Sequence, residues 1–177
     1  MIATNRIGSF AISEAYQEIL THKKLFDEFK VRQNSPGSPH SKTKTIPLRS
    51  IDLNTATQAK WQESVHAEDT SYAKLFPHTY RLAMELMKLV DGKRLGGLML
   101  VELAAMSKIK RHTDEGLRAE YYHRFHIIIK GTHEWIANNK NERMTQGDCY
   151  WVNNNIEHTV FNMNNTHRWA LIVDIQV

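Results

Sequence analysis

Three short apolar runs separated by asparagine-rich turns make up residues 149–175, CYWVNNNIEHTVFNMNNTHRWALIVDI. The runs are rich in aromatic and β-branched residues, which favour strands, and the Asn clusters between them are typical of turns. Similar segments come earlier: LGGLMLVEL (95–103), SKIKRH (107–112), YYHRFHIIIK (121–130) and HEWIANN (133–139). Seven short strands within about 80 residues predict an antiparallel sandwich or barrel in the C-terminal half.

The first half of the chain has helical patterns instead. Residues 10–31 and 78–90 place apolar side chains at helical spacing, and residues 55–70 are also predicted as a helix. TIPLRSIDL (45–53) is predicted as a strand. QNSPGSPHSKTK (33–44) is rich in Ser, Pro and Gly, which predicts a loop, and we interpret it as a flap or an ordering segment in preference to a domain boundary.

These patterns together predict one domain over residues 1–177. The fold class is mostly β with N-terminal helices (α+β). An N-terminal helix and loop (1–45) precede a β core with flanking helices (46–177).

Composition and charge restrict the class of protein. The only cysteine, Cys149, cannot form an internal disulfide, and the N-terminus lacks the pattern of a secretory signal. Because no apolar run is long enough to span a bilayer, we expect a soluble, cytoplasmic protein, with its oligomeric state left open. The formal charge of +4 arises in the first 50 residues, which carry eight Lys/Arg against four Asp/Glu. We interpret this excess as a solvated basic surface in preference to a nucleic-acid site.

Two histidines and a carboxylate have a spacing suited to a metal ion. His112 and Asp114 are two residues apart, so in a strand, or in a bend that leaves one, their side chains point to the same side. His158 opens a later strand of the same β half. Two imidazoles and a carboxylate on one face of a metal are typical of non-haem Fe(II) oxygenases, which keep the opposite positions open for a chelating co-substrate and O₂.

Arg168 follows His158 by ten residues. If their two segments form an antiparallel hairpin that turns near Met163, both side chains lie on one face of the sheet. A buried guanidinium needs an anion, and its planar shape suits a carboxylate. We therefore predict a dicarboxylate ligand whose near end chelates the metal and whose far end reaches Arg168.

From about Ile46 to the C-terminus, the chain resembles the aspartyl/asparaginyl β-hydroxylase family of Fe(II)/2-oxoglutarate dioxygenases, which includes bacterial amino-acid and prolyl hydroxylases. The likeness is strongest in RHTDEG (111–116), RFHIII (124–129), GDCYWVNNNIEHTVFN (147–162) and RWALIVDI (168–175). It implies a double-stranded β-helix, a cupin-like jelly roll buttressed by helices.

The resemblance also implies roles for single residues. It makes His112, Asp114 and His158 the ligands of Fe(II). It makes Arg168 the partner of the 5-carboxylate of 2-oxoglutarate, and it places His126 near that co-substrate and Arg124 at a co-substrate or substrate carboxylate. With Fe(II), 2-oxoglutarate and O₂ as cofactors, the implied reaction hydroxylates a C–H bond of an Asp, Asn or Pro-type residue in a peptide or protein, or of a free amino acid.

Two alternatives stay open at this point. One is a cupin-like module that holds a metal and an organic acid without turnover, and the formation of succinate from 2-oxoglutarate separates it from an enzyme. The other is a nucleic-acid oxygenase, which salt-sensitive RNA or DNA binding would favour. Two further histidines, His123 and His133, are predicted to be exposed, and Cys149 is predicted to be a small core residue.

Overall fold

The structure, a computed structural model, describes residues 2–177. Its first half contains β1 (Thr4–Ser9), α1 (Ser13–His22), α2 (Val31–Asn34), β2 (Thr43–Ser50), α3 (Gln58–Gln62), β3 (Glu68–Asp69) and α4 (Pro77–Leu89). The second half contains β4 (Arg94–Leu103), β5 (Ser107–His112), α5 (Leu117–Tyr121), β6 (His123–Lys130), β7 (His133–Ala137), β8 (Lys140–Met144), β9 (Asp148–Val152), β10 (His158–Asn162) and β11 (Arg168–Gln176).

Two antiparallel sheets face each other. The larger has seven strands in the order β1-β9-β6-β11-β4-β2-β3, and the smaller has four in the order β5-β10-β7-β8. Strands that are adjacent in sequence repeatedly fall in different sheets, as in a jelly roll. The predicted fold class, mostly β with N-terminal helices around a double-stranded β-helix, is confirmed.

The larger sheet separates two hydrophobic layers, and the alternation along β11 shows why. Leu171 and Val173 belong to the layer shared with α1 and α4, whereas Ala170 and Ile172 belong to the layer between the two sheets. Because side chains alternate between the faces of a strand, Arg168 points into the space between the sheets. Cys149 is fully buried in the helix-facing layer, as predicted, and burial raises the pKa of its thiol to about 12.

Several elements differ from the sequence prediction. The strand at 45–53 and the helix at 78–90 are confirmed as β2 and α4, but the helix predicted over 55–70 is wrong beyond the single turn of α3. That segment runs extended after α3, and its end pairs with β2 as β3. Two further strands, β1 and β8, are absent from the sequence prediction. Through β1, the N-terminal segment also contributes a strand to the larger sheet.

The predicted hairpin between the His158 and Arg168 segments is wrong. β10 pairs with β5 and β7 in the smaller sheet, while β11 pairs with β4 and β6 in the larger sheet. The chain crosses from one sheet to the other between these strands. His158 and Arg168 nevertheless line one cleft, because each points from its own sheet into the space between them.

Candidate functional site

Two imidazoles meet across neighbouring strands of the smaller sheet. His112 ends β5 and His158 begins β10, and the two are direct partners in the strand pairing, with ring centroids 4.4 Å apart. Each ring places Nδ1 beside a backbone carbonyl two residues earlier, Lys110 at 2.7 Å and Ile156 at 2.9 Å. A carbonyl accepts only from an N–H, so both rings carry their proton on Nδ1, and both Nε2 atoms keep a lone pair for a ligand.

The carboxylate of Asp114 completes this group just beyond the end of β5. Its Oδ1 lies 3.4 Å from Nε2 of His112, and its Oδ2 accepts hydrogen bonds from Arg124 and, at 3.1 Å, from Nδ2 of Asn154. Burial by itself would raise the pKa of Asp114, but Arg124 and the nearby imidazoles outweigh it and hold that pKa well below its usual range. The group is therefore an anion at neutral pH.

A tryptophan fixes the plane of His158. The indole of Trp135, on β7, stacks on the imidazole with ring centroids 4.2 Å apart and an angle of 12° between the planes. Burial lowers the pKa of His158 to about 4, so the ring is neutral at physiological pH. A neutral imidazole is the form that binds a metal ion.

These donors fit a divalent metal ion such as Fe(II). Two imidazoles and one carboxylate are the donor types that non-haem iron sites use. Among residues 2–177, Nε2 of His112 is buried and has no hydrogen-bond partner. A third histidine, His40 of the loop before β2, also approaches, and its ligand atom lies within 4.8 Å of those of His112 and Asp114.

Three charged side chains behind Asp114 form with it a chain of ion pairs that has no net charge. Arg124 and Asp174 are direct partners in the β6–β11 pairing, and the guanidinium donates to both carboxylate oxygens at 2.8 and 3.1 Å. Arg118 of α5 lies 3.8 Å from the same carboxylate. Burial would lower the pKa of Arg124, but Asp174 and Asp114 outweigh it and raise that pKa. Arg124 is thus held by two protein carboxylates, although the sequence prediction places it at a ligand carboxylate.

Within residues 2–177, the polar partner of the Arg168 side chain is a single histidine. Its Nε donates to Nδ1 of His133 at 3.0 Å, and its Nη2 lies 2.8 Å from the other ring nitrogen. A neutral imidazole has one lone pair, so only one of these two contacts can be a hydrogen bond. Burial lowers the pKa of Arg168 to about 9, and no carboxylate in the described part of the chain forms an ion pair with it.

The prediction that His133 is exposed is wrong. Its side chain is buried, and its neighbour on the sequence, Glu134, takes the outward position on β7. Burial and the charge of Arg168 lower the pKa of His133 well below its usual value, so the ring is neutral. His123 is exposed, as predicted.

His126 lies between the two ends of the cleft. It points inward from β6, packs edge-on against Trp135 with centroids 5.4 Å apart, and is paired in register with Ile172. Its Nδ1 is buried without a hydrogen-bond partner in residues 2–177. Burial and Arg168 lower the pKa of His126 well below its usual value, so a neutral ring is available to a ligand.

All six predicted site residues line a single cleft between the sheets: His112, Asp114, Arg124, His126, His158 and Arg168. The structure adds Arg32 and His40 from the N-terminal segment, Trp135 from β7, and the supporting residues His133 and Asn154. The sequence offers a signal for His40, which lies in the Ser/Pro/Gly-rich loop predicted at 33–44, but none for Arg32, which lies just before that loop. The asparagine run that contains Asn154 suggested only a turn.

The fold and the donor set define a cupin-like jelly roll with a candidate non-haem metal site between its sheets. Residues 12–177 match the sequence model of the aspartyl/asparaginyl β-hydroxylase family. The chain therefore belongs to the aspartyl/asparaginyl β-hydroxylase family. No sequence relative was found among curated proteins.

Solved structures share the fold at low identity. An oxidoreductase of the 2OG-Fe(II) oxygenase family from Burkholderia pseudomallei is 9% identical, with a TM-score of 0.54 over 94% of this chain and 90% of that chain. A predicted oxalate decarboxylase from Thermotoga maritima is 19% identical, with a TM-score of 0.39 over 51% and 74%. A conserved protein of unknown function from Streptococcus pyogenes is 17% identical, with a TM-score of 0.38. The match covers 46% of this chain and 64%, less than two thirds, of that one.

No helix within residues 2–177 is long and apolar enough to cross a membrane.

Proposed function

We propose that this protein is an Fe(II)- and 2-oxoglutarate-dependent dioxygenase that hydroxylates a C–H bond of an amino acid or of an amino-acid residue in a peptide or protein. The observation that carries the proposal is the pairing of two sites in one cleft. Two imidazoles and an ionised carboxylate lie at one end, and the buried guanidinium of Arg168, without a carboxylate partner in the described residues, lies across from them. Family membership supports the same reaction class.

His112, Asp114 and His158 would hold the iron, which supplies oxidative chemistry with O₂ when it is bound. The backbone carbonyls of Lys110 and Ile156 fix the tautomers of the two imidazoles, so that Nε2 of each ring is already unprotonated. Arg124 and Asn154 hold the Asp114 carboxylate in place and keep it ionised. The protein thus orients both imidazoles and keeps the carboxylate ionised before a metal ion arrives.

Arg168 would bind the 5-carboxylate of 2-oxoglutarate. Its side chain is 1% exposed, so a carboxylate that reaches it leaves water and forms charge-assisted hydrogen bonds. His133 orients the guanidinium, and the neutral ring of His126 offers a further hydrogen-bonding group along the cleft. The apolar side chains of Val101, Ile109, Val160 and Ile172 line the rest of the cleft and exclude water.

The test measures succinate formed from 2-oxoglutarate in the presence of Fe(II), ascorbate and O₂. The wild type should produce succinate, and Asp114→Ala should lower the rate by at least about a hundredfold, because two imidazoles alone hold iron weakly. Asp27→Ala, which removes an exposed carboxylate paired with Lys44, is the matched control and should keep the wild-type rate.

Two outcomes would contradict the proposal. A wild type that makes no succinate, with or without a mixture of amino acids, peptides and cell protein, would indicate the non-catalytic binding module. If Asp114→Ala makes succinate as fast as the wild type, the assignment of Asp114 as a metal ligand is wrong. If the wild type does make succinate, mass-spectrometric detection of oxygen addition in the same mixture identifies the substrate.

A further inference from the structure

Arg32 brings a positive charge into the cleft from outside the jelly roll. It belongs to the short helix α2, and its side chain reaches the space beside the candidate metal site. Its Nη2 lies 2.8 Å from Nε2 and 3.3 Å from Nδ1 of His40, and its Nη1 points at the sulfur of Met99 at 3.4 Å. Nε is buried and has no hydrogen-bond partner among residues 2–177. A guanidinium with five N–H groups thus meets one imidazole and a weak sulfur acceptor.

The charges around the cleft leave Arg32 without an anion. Arg118 and Arg124 are neutralised by Asp174 and Asp114. No carboxylate of the described chain forms an ion pair with Arg32, and burial lowers the pKa of its guanidinium to about 10, so it stays charged at neutral pH. The other unpaired guanidinium, Arg168, is already assigned to the co-substrate. A buried cation is costly unless an anion joins it, so the cleft has room for one more negative charge.

Arg32 lies close to the reacting end of the cleft. The His40 ring that it contacts packs edge-on against the His112 ring, with centroids 4.9 Å apart. One imidazole therefore separates the guanidinium from the candidate metal ligand. Arg168, by contrast, contacts His133, and among residues 2–177 the two guanidinium groups share no hydrogen-bond partner. An anion bound to Arg32 therefore lies near the candidate metal ligands, where a substrate binds. It does not lie at Arg168, which is assigned to the distal carboxylate of the co-substrate.

A second cavity adjoins the first at Arg32 and is mainly apolar. Six of its lining residues are apolar: Phe29, Val31, Pro47, Ala56, Trp61 and Met99. Arg49 also lines it, but that guanidinium already pairs with Asp69 and donates to the carbonyls of Ala67 and Gly96. Arg32 borders both cavities, so a ligand that places its carboxylate there can place an apolar group beside Trp61.

We propose that Arg32 is the carboxylate anchor of the primary substrate, and that this substrate is an amino acid with a free carboxylate and an apolar side chain. The inference rests on the proposed function and names the substrate class of the same site. It favours a free amino acid, or the last residue of a peptide, over an internal residue of a protein. Specificity then comes from the N-terminal segment, because α2 and the following loop deliver Arg32 and His40.

The test measures binding without turnover. Zinc-loaded protein saturated with 2-oxoglutarate is titrated calorimetrically with L-valine, L-leucine, L-isoleucine, L-proline and L-phenylalanine, and with the primary amide of each. At least one acid should bind, and its amide should bind at least about tenfold more weakly, because the amide lacks the charge that pairs with the guanidinium. Arg32→Gln should weaken binding of that acid by a similar factor, and Arg32→Lys should restore part of it.

Arg111→Gln is the matched control. It removes the same charge from β5, next to His112, but its side chain points outward to Glu157, so the affinity for the acid should be unchanged. The inference is overturned if no acid binds, if acid and amide bind equally, or if Arg32→Gln keeps the wild-type affinity. Failure of the proposed function is seen separately, as the absence of succinate from the wild type in the presence of iron and O₂.

Discussion

His133 illustrates how a side chain outside the predicted set can control a predicted residue. Arg168 is 1% exposed, and its described polar contacts are both to this imidazole. Without that ring, the guanidinium would have no fixed orientation before a carboxylate arrives. His133 is therefore a positioning residue for the co-substrate, and it touches no reacting atom.

Replacing His133 by leucine should weaken binding of 2-oxoglutarate by about tenfold, since one hydrogen bond to a charged group is worth about 1.5–3 kcal/mol and part of it is recovered in the complex. His133→Gln, which keeps an acceptor, should recover part of the affinity. Calorimetric titration of the zinc-loaded protein with 2-oxoglutarate measures both values. His123→Leu, at the exposed first residue of β6, is the control. An unchanged affinity in His133→Leu would contradict the positioning role.

The spacing of residues predicted only part of the site. The i, i+2 spacing of His112 and Asp114 follows a pattern that strand geometry explains. The sequence predicts Arg168 beside His158 through a hairpin that does not form, and Arg168 reaches the cleft because it opens β11 on the inward face of the other sheet. Arg32 and His40 lie on a short helix and a loop, where no periodicity indicates the direction of a side chain. The prediction for His133 names the wrong face because two adjacent apolar residues, Trp135 and Ile136, leave the inward face of β7 ambiguous in the sequence. In the structure His133 shares the inward face with Trp135.

At the scale of elements, α4 anchors the helical layer to the larger sheet. Leu82, Ala83 and Leu86 face the sheet and are fully or nearly fully buried, whereas Leu89, three residues after Leu86, is 56% exposed. The two leucines differ in burial but lie in the same helix, so they form a matched pair for measuring how much this contact stabilises the fold.

Leu86→Ala should lower the free energy of unfolding by about 2–5 kcal/mol, because it removes buried methyl groups and leaves a cavity. Leu89→Ala should change it by less than about 0.5 kcal/mol. Urea denaturation followed by circular dichroism measures both. Equal effects of the two substitutions would show that α4 does not pack on the sheet as described.

The predicted strands are the ones with an apolar face. β4, β6 and β11 are buried along most of their length, and their sequences show it. β8, KNERM, is exposed at four of five positions, and β1 is mostly polar, so neither has the alternation that predicts a strand. The pairing error at β10 and β11 has a different cause. A short turn signal predicts a hairpin, but in a jelly roll consecutive strands cross between sheets, and only long-range packing decides this.

At the scale of the whole molecule, four imidazoles are buried in the neutral form around the cleft. Burial is the largest cause of the lowered pKa of each: His40, His126, His133 and His158. In the unfolded chain their pKa is near 6.5. Below that value the unfolded state therefore binds protons that the folded state does not, and folding becomes less favourable as the pH falls. The lowered pKa of Asp114 acts only below about 3.8, outside this window.

Metal-free protein should thus lose stability steeply between pH 6.5 and pH 5. Four imidazoles take up protons on unfolding, so the proton uptake should approach four. Each contributes up to about 1.4 kcal/mol per pH unit to the loss of stability. Together they can cancel much of a typical unfolding free energy of about 5–15 kcal/mol. Unfolding free energies from urea titrations at pH 7.5, 6.5, 5.5 and 5.0 give the slope, and His133→Gln should lower the uptake by about one proton. A flat profile would mean that the rings are charged in the native state.

The order of strands also determines how the molecule meets other copies of itself. Both sheets are open, and an open edge exposes unpaired backbone groups that can pair with another chain. Here the edge strands are β1 and β3 in one sheet and β5 and β8 in the other. β3 has two residues, β1 carries Arg6, and lysine or arginine occupies three of the six positions of β5 and two of the five of β8. Short length and charge discourage edge-to-edge pairing, so the fold resists aggregation through its sheets while its apolar strands stay in the centre.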